Sequence, residues 1–273
     1  MVEGSFQEQV AVVTGAASGI GRSVAERFAQ AGASVAMMDR DESQGRAACS
    51  QIQATGQTAE FFPADVKSEA DVARTIELIT ARFHRIDHLV NNAGIVLIKE
   101  VQDCSTAEWD NVFDVNVKSV FLMVKYSLGW LRKSNSASIV NVSSVSGIVA
   151  QRGTPAYVAS KGAVLMLSKA LALDLAASGI RVNCVCPGIT DTPLFHSHVQ
   201  STSDPARTLL QRTRRVPLAR MLSPYEIADA ILYLASDRAS GITGTELIVD
   251  GGYLAAAEGP EDMPTRSGEL GEK

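Results

Sequence analysis

The apolar residues of this chain alternate between two spacings along most of its length. Short continuous apolar segments, such as Val10–Thr14 and Ser34–Asp39, are typical of buried strands. Between them, apolar residues recur at helical spacing, as Ile20, Val24 and Phe28 do. Strands that alternate with helices form right-handed βαβ units around a parallel sheet covered on both faces. The pattern predicts an α/β fold, a single doubly wound Rossmann domain with helices on both faces of the sheet.

The same two spacings place the remaining elements. Further strands are predicted at residues 59–64, 88–92, 137–143, 181–186 and 246–250, and further helices at 45–55, 72–83, 106–132, 157–177 and 224–235. With the first two strands this makes a seven-stranded parallel sheet, for which we predict the order 3-2-1-4-5-6-7.

The chain of 273 residues is long enough for one large domain, which we place at residues 1–254. Within it, residues 190–220 are polar and weakly periodic, so they are interpreted as a lid over the substrate or as a disordered loop. Residues 255–273 hold five acids and two bases among Gly and Pro, which predicts an acidic, disordered or loosely attached tail.

Composition excludes several partners. A net charge of −5 gives no electrostatic reason to bind nucleic acid. The N-terminus lacks the pattern of a signal peptide, and no stretch approaches the roughly 20 apolar residues of a membrane helix. Four cysteines in a chain of this length make neither a disulfide framework nor a zinc site. We therefore expect a cytoplasmic protein with no metal, no membrane and no nucleic acid.

A glycine-rich turn links the first strand to the first helix. Residues 14–21 are Thr-Gly-Ala-Ala-Ser-Gly-Ile-Gly, with glycine at positions 15, 19 and 21. Such a turn lets backbone N–H groups approach a pyrophosphate at the positive end of a helix dipole. Three residues separate the first two glycines, so this is not the usual G-x-G-x-x-G, and a turn without a ligand is the alternative.

Asp39 ends the second strand, where the adenosine ribose of a bound dinucleotide would lie. A carboxylate there can accept hydrogen bonds from both ribose hydroxyls and would repel the 2′-phosphate of NADP. Arg40 complicates this argument, because an arginine at this place could hold that phosphate. The acid comes first, so we predict NAD rather than NADP.

Tyr157 and Lys161 are four residues apart in a predicted helix, which puts them on one face. A free tyrosine has a pKa of about 10, and a nearby ammonium lowers it towards neutrality. Ser143 and Ser144 end the strand just before that helix, at the rim where ligands bind. A surface pair and a serine-rich loop are the alternatives to a catalytic group.

These residues, in this order, closely resemble the classical short-chain dehydrogenase/reductase family over residues 7–253. The resemblance rests on the turn at 14–21, the segment at 91–94 and single residues between and after them. Those residues are Asp65, Val66, Asn116, Ser144, Tyr157, Lys161, Pro187 and Gly188.

The resemblance implies that Tyr157 is the general acid/base and that Lys161 lowers its pKa and holds the nicotinamide ribose. It implies that Ser144 orients the substrate oxygen and that Asn116 shapes a helix and supports a water linked to Lys161. The implied cofactor residues are Gly15, Ser18, Gly19, Ile20, Gly21, Asp39, Asp65, Val66, Asn91, Ala93, Gly94, Tyr157, Lys161, Pro187, Gly188, Ile189, Thr190 and Thr192.

Position relative to this set gives further candidates for contact with a small-molecule substrate. They are Ser144, Ser146, Gln151, Thr154, Val96 and Leu194. Four arginines at 207, 212, 214 and 215 are either a solvated helix face or a site that attracts an anionic substrate, and the first is favoured. The resemblance also implies a homotetramer that pairs the long helices at 106–132 and 157–177.

The sequence therefore predicts an NAD-dependent oxidoreductase that interconverts a secondary alcohol and a ketone. An NADPH-dependent 3-oxoacyl-(acyl-carrier-protein) reductase is one alternative, against which Asp39 speaks. A non-catalytic dinucleotide-binding protein is another, which would have no reason to hold Asn116, Ser144, Tyr157 and Lys161 together.

Overall fold

A computed structural model describes residues 5–256 of the chain. Within them, seven strands pair in parallel in the order β3-β2-β1-β4-β5-β6-β7. The strands are Val10–Thr14 (β1), Ser34–Asp39 (β2), Ala59–Pro63 (β3), His88–Asn91 (β4), Ser138–Val142 (β5), Arg181–Pro187 (β6) and Glu246–Val249 (β7). The predicted fold class and strand order are confirmed.

Helices cover both faces of this sheet. They are Gly19–Gln30 (α1), Glu42–Gln53 (α2), Glu69–Phe83 (α3), Thr106–Phe113 (α4), Ser119–Leu131 (α5), Pro155–Leu175 (α6), Pro193–Gln200 (α7), Pro205–Arg214 (α8) and Pro224–Ala235 (α9). The single helix predicted at 106–132 is interrupted by a π-helical turn at Asp114–Lys118. Such turns are rare and often lie at functional sites.

The apolar core lies on both faces because neighbouring strand residues point to opposite sides. Val13 of β1 packs with Val24 and Phe28 of α1 on one face. Val12, the preceding residue, packs with Ile76 of α3 and Leu122 of α5 on the other. Burial on both sides explains why the strands are continuously apolar instead of alternating.

The strand order reverses between β1 and β4, which are neighbours in the sheet. From β1 the chain first builds outward through β2 and β3, and then crosses to β4 and the strands beyond it. The connections that leave β1 and β4 therefore diverge and open a crevice at the carboxyl ends of these strands. Residues that follow β1, β4, β5 and β6 meet there.

Residues 190–220 form two helices, α7 and α8, instead of the irregular loop that was one of the two predictions. Each helix begins with proline. Thr192 caps α7, with its Oγ1 accepting from Phe195 N, and Asp204 caps α8, with its Oδ1 accepting from Arg207 N. Both helices are short, and α8 is polar overall and buries none of its side chains fully, so the sequence carries little signal for them. Nearly all of the predicted tail, residues 257–273, lies outside the described residues.

Helix α6 corrects the expectation that no segment is apolar enough to cross a membrane. Pro155–Ser178 is long enough and has a mean hydropathy of 1.3, the one such helix among residues 5–256. Its place in the fold accounts for this composition. Val164 packs on Cys184 and Cys186 of β6, and core helices of this kind pass the same test as membrane spans.

A buried histidine lies in the sheet at β4. His88 is fully buried between Ser138 Oγ, 2.8 Å from its Nδ1, and Gln9 Oε1, 2.7 Å from its Nε2. Burial lowers the pKa of His88 to about 4; Asp87 opposes the shift and Arg181 adds to it. The imidazole is therefore neutral at neutral pH, donating from one nitrogen and accepting at the other.

We expect His88 to make the fold acid-sensitive between pH 6.5 and pH 4. The unfolded chain binds a proton on this histidine at its ordinary pKa of 6.5, and the folded protein binds it only near pH 4. This group should therefore lower the free energy of unfolding by about 2 kcal/mol from pH 7 to pH 5. In urea titrations, His88→Gln should be less stable than wild type at pH 7 but lose less on acidification. Equal losses in both proteins would contradict the assignment.

Candidate active site

Two adjoining cavities, both open to solvent, occupy the crevice above the carboxyl edge of the sheet. The glycine-loop cavity extends over the turn after β1 and the ends of β2 and β3. The tyrosine cavity extends over the ends of β5 and β6 and beneath α7 and α8. Five residues line both: Ile20, Asn92, Gly94, Thr192 and Leu194. Together the two cavities form one continuous site.

The glycine-loop cavity is built around a turn that leaves no room for side chains. A Cβ on Gly21 would lie 2.1 Å from Gly15 O and 2.4 Å from Asn92 Nδ2. Gly15 and Gly19 have positive φ angles of 66° and 53°. Gly15, Ser18, Gly19 and Ile20 line the cavity, while Gly21 shapes the turn from behind. The turn thus presents backbone to the cavity, as a pyrophosphate site requires.

Asn92 holds this turn in place. Its Nδ2 donates to Thr14 O at 3.0 Å and to Gly15 O at 3.2 Å, and its own N–H donates to Thr14 Oγ1 at 3.0 Å. Sequence reasoning chose the neighbouring Asn91 instead. The side chain of Asn91 points into the sheet, where its Nδ2 donates to Asn141 Oδ1 at 2.8 Å, and it lines neither cavity. Only the alternation of side chains at the end of β4, which ends at Asn91, could have indicated Asn92.

The Asp39 carboxylate is fixed at the end of the glycine-loop cavity. Its Oδ2 accepts from Ala17 N and its Oδ1 from Asp41 N, both at 3.0 Å. Each oxygen retains a further lone pair that can accept from a ligand hydroxyl. The exposed side chain of Arg40 lines the same cavity, as do Asp65, Val66, Ala93 and Gly94. Asp39 and Arg40, whose opposite charges favour different cofactors, therefore line the same cavity.

Asn116 lies in the π-helical turn and is almost completely buried. Its Oδ1 accepts from Ile95 N at 2.8 Å, while its Nδ2 donates to Ile95 O at 3.0 Å and to Ser160 Oγ at 2.9 Å. Ser160 Oγ in turn donates to Tyr157 O at 2.7 Å. Asn116 thus joins the segment after β4 to the first turns of α6.

Lys161 lies under the floor of the tyrosine cavity. Its Nζ donates to Val142 O at 2.9 Å and is 5.8 Å from the centroid of the Tyr157 ring. Burial lowers the pKa of Lys161 to about 8. A Cβ on Gly94 would meet Nζ and Asn116 Oδ1 at 3.4 Å, so the glycine leaves the ammonium accessible from the cavity.

The Tyr157 hydroxyl is paired with Ser144. Burial raises the pKa of Tyr157, and a hydrogen bond with Ser144 lowers it by less. The spacing of Tyr157 and Lys161 predicted a lowered pKa for the tyrosine. In the structure the effect of burial is larger, because Lys161 Nζ lies near the tyrosine ring and Val142 O. The arrangement favours a protonated phenol that can donate a proton to a substrate oxygen.

The two serines after β5 have different roles. Ser143 Oγ donates to Lys161 O at 2.8 Å and ties the strand to α6. Ser144 Oγ accepts from Ser146 N at 3.1 Å and lies beside the Tyr157 hydroxyl. The structure therefore brings Ser144, and not Ser143, together with the tyrosine and lysine.

The turn after β6 forms another wall of the tyrosine cavity. The residues predicted there from the resemblance all line it: Pro187, Gly188, Ile189, Thr190 and Thr192. Of the predicted substrate residues, Ser146, Gln151, Val96 and Leu194 also line it. Thr154 does not: it is fully buried, and its Oγ1 donates to Gln151 O at 3.3 Å. Its role is to support the loop that carries Gln151.

Several lining residues escaped the sequence reasoning about contacts. They are Val145, Val149, Ala150, Phe195, His198 and Tyr253. Tyr253 follows β7 and approaches the cavity from a part of the chain that no motif marks. Of the four arginines near α8, three are exposed and only Arg212 lines the cavity. Among the described residues no group of three His, Cys, Asp or Glu side chains could hold a metal.

The strand order, the glycine turn and the tyrosine–lysine pair at the reversal point define a Rossmann-fold oxidoreductase that binds a nicotinamide dinucleotide. Residues 15–254 match the family model described as Enoyl-(Acyl carrier protein) reductase. The chain belongs to the short-chain dehydrogenase/reductase family, as predicted, and is an oxidoreductase that acts on CH–OH groups of small molecules.

Similar proteins span almost the whole chain. Cyclopentanol dehydrogenase of Comamonas testosteroni is 43% identical over 92% of this chain and 99% of its own length. Cis-4-hydroxycyclohexanecarboxylate dehydrogenase of Sinomonas cyclohexanicum is 40% identical over 92% and 98%. The ligand-free structure of Thermoplasma acidophilum aldohexose dehydrogenase has a TM-score of 0.86 at 34% identity and covers 94% and 98%.

Proposed function

We propose that this enzyme interconverts a secondary alcohol and its ketone with NAD(H), and that Tyr157 is the general acid/base. The observation that carries the proposal is the hydroxyl pair of Ser144 and Tyr157 on the floor of the tyrosine cavity, with Lys161 beneath. One hydroxyl can donate to a substrate oxygen while the other exchanges a proton with it.

The residues present fit a dinucleotide. Backbone N–H groups of the glycine turn suit the pyrophosphate, Asp39 suits the adenosine ribose, and the turn at 187–192 suits the nicotinamide carboxamide. When bound, the nicotinamide ring accepts hydride from, or gives it to, the substrate carbon.

In the oxidation direction, Ser144 would hold the substrate hydroxyl while the Tyr157 oxygen takes its proton. The same carbon would lose its hydrogen as hydride to a bound nicotinamide, so that alcohol and NAD⁺ would give ketone, NADH and one proton. Because the pKa of Tyr157 is raised by burial, a positive charge beside it must stabilise the phenolate. Lys161 would supply that charge. Its pKa of about 8 also lets it exchange protons near neutral pH.

We propose a cyclic secondary alcohol as the substrate. Apolar side chains of Val96, Val145, Val149, Leu194 and Phe195 line the tyrosine cavity and suit a hydrocarbon ring. The names of the two relatives above support this, since cyclopentanol and 4-hydroxycyclohexanecarboxylate are both ring alcohols.

We further propose a cytoplasmic homotetramer. Apolar side chains on the outer surfaces of α5 and α6 are unusually exposed, with Phe121 at 53%, Met166 at 64% and Leu173 at 81%. Apolar surface of this kind is typical of a contact between subunits. The four cysteines are free thiols, which suits a reducing compartment.

One observation favours an alternative function that uses NADPH. Arg40 lines the glycine-loop cavity beside Asp39, so a 2′-phosphate would meet a cation there. That would suit an NADPH-dependent 3-oxoacyl-(acyl-carrier-protein) reductase. A non-catalytic dinucleotide-binding protein has no comparable support, because Asn116, Ser144, Tyr157 and Lys161 do converge.

The deciding experiment is a fluorescence titration of the purified protein with NADH and NADPH, followed by assays of cyclopentanol and cyclohexanol with NAD⁺. We expect NADH to bind at least about tenfold tighter, a difference of about 1.4 kcal/mol, and the alcohols to be oxidised. Tighter NADPH binding would favour the reductase. Tight NADH binding without turnover of any alcohol or ketone would favour the binding protein.

A further inference from the structure

Arg212 places an unneutralised positive charge at the tyrosine cavity. It lies in the last full turn of α8 and is partly buried, and burial lowers the pKa of its guanidinium. Its side chain makes no hydrogen bond or ion pair with any residue from 5 to 256. The five N–H donors of this guanidinium therefore have no partner among residues 5–256 and can bind a ligand in the cavity.

The rest of the cavity offers it no counter-charge. Among the described residues that line the cavity there is no Asp or Glu, and Lys161 is the one other cation. Lys161 is already engaged with Val142 O and serves the reaction proposed above. The chain as a whole carries a net charge of −5, so a cavity with two cations and no acid runs against its composition.

Two neighbours shape the surroundings of Arg212. Burial and the Arg212 charge both lower the pKa of His198 in α7, so this imidazole is neutral at neutral pH. The Tyr253 ring also lines the cavity. The guanidinium of Arg215 packs over this ring, with its central carbon 4.7 Å from the ring centroid. Arg212 therefore supplies one fixed positive charge, with neutral hydrogen-bonding groups beside it.

The cofactor does not account for this charge. Arg212 lines the tyrosine cavity but not the glycine-loop cavity, where the pyrophosphate and adenosine ribose fit. A planar guanidinium binds a carboxylate with two parallel hydrogen bonds. One unpaired charge balances a monoanion, which favours a carboxylate over a phosphate dianion.

We propose that Arg212 binds a carboxylate on the substrate, so that the preferred substrate is a ring hydroxy acid whose carboxylate lies away from the reacting carbon. The proposal rests on the proposed function, since the alcohol of the same molecule must reach Ser144 and Tyr157. Arg212 is then the residue that selects the acid over neutral alcohols of the same size.

The test compares 3- and 4-hydroxycyclohexanecarboxylate with the corresponding carboxamides, which match them in shape but carry no charge. In wild type, kcat/KM for the better acid should exceed that for its amide by about 20-fold. Arg212→Gln should remove this preference, mainly through KM, and Arg212→Lys should restore part of it. The matched control is Arg214→Gln, which removes the same charge from an exposed position of the same helix and should leave the preference intact.

A binding measurement makes the outcome independent of turnover. Calorimetry should show cyclohexanecarboxylate binding to the wild-type and Arg214→Gln enzyme–NADH complexes, and at least about tenfold weaker binding to Arg212→Gln. Equal binding in all three proteins would overturn the proposal. So would weaker NADH binding by Arg212→Gln, which would assign the arginine to the cofactor. Oxidation of neutral ring alcohols with no preference for the acid would refute this inference and leave the proposed function standing.

Discussion

Replacing Tyr157 by phenylalanine is expected to lower kcat by at least about 1000-fold while NADH binding changes less than about twofold. The variant removes one oxygen atom from a half-buried side chain and leaves the ring in place over Lys161. Ser144 would still hold the substrate oxygen, but the group proposed to exchange its proton would be missing. Stopped-flow or steady-state assays with cyclopentanol and NAD⁺, beside NADH titrations, measure both effects.

Tyr233→Phe is the matched control for this variant. Tyr233 lies on α9, 38% exposed, and removal of its hydroxyl should leave kcat unchanged. If Tyr157→Phe kept more than a tenth of the wild-type kcat, Tyr157 would not be the general acid/base. Loss of NADH binding together with activity would instead point to collapse of the cavity, which the thermal unfolding of the variant would reveal.

Replacing Asp39 by asparagine is expected to change the ratio of the NADPH and NADH dissociation constants by about 100-fold in favour of NADPH, or about 2.8 kcal/mol. Two effects of similar size contribute: the charged acceptor for the ribose hydroxyls is lost, and the repulsion of a 2′-phosphate disappears. Asparagine keeps one oxygen that can still accept from Ala17 N or Asp41 N, so the turn is largely preserved. Fluorescence titration with both cofactors gives the ratio.

Arg40→Gln provides the opposite change at the neighbouring position. Arg40 is exposed and lines the same cavity, so its loss should weaken NADPH and leave NADH nearly unchanged. A wild-type preference for NADPH that Arg40→Gln abolishes would show that the arginine, and not the acid, sets cofactor choice.

The sequence was most informative where its signals are local. Periodicity placed all seven strands, because a strand buried on both faces must be continuously apolar. The prediction at 106–132 was less complete: it gave one helix, and the π-helical turn around Asn116 has no pattern of its own. Helices α7 and α8 were also missed, because they are short and α8 is polar overall.

At the candidate site, chain order identified residues but not the direction of their side chains. Asn91 and Asn92 are neighbouring residues of the same type, yet only the side chain of Asn92 reaches the glycine turn. Thr154 lies in the right segment but faces the protein interior. A solvated helix face was the favoured interpretation of the four arginines, but packing of α8 turned one of them, Arg212, towards the cavity.

By itself, the sequence determined the fold class, the strand order and the family, along with the main chemical groups, because these depend on periodicity and on motifs within single connections. The tertiary structure decided which of two adjacent asparagines holds the glycine turn, how burial shifts the pKa values of Tyr157 and Lys161, and that Arg212 faces the tyrosine cavity without a counter-charge. The physical reason is that burial and charge pairing depend on residues far apart in the chain, such as Lys161 with Val142 and Arg212 with Tyr253, and only packing brings these together.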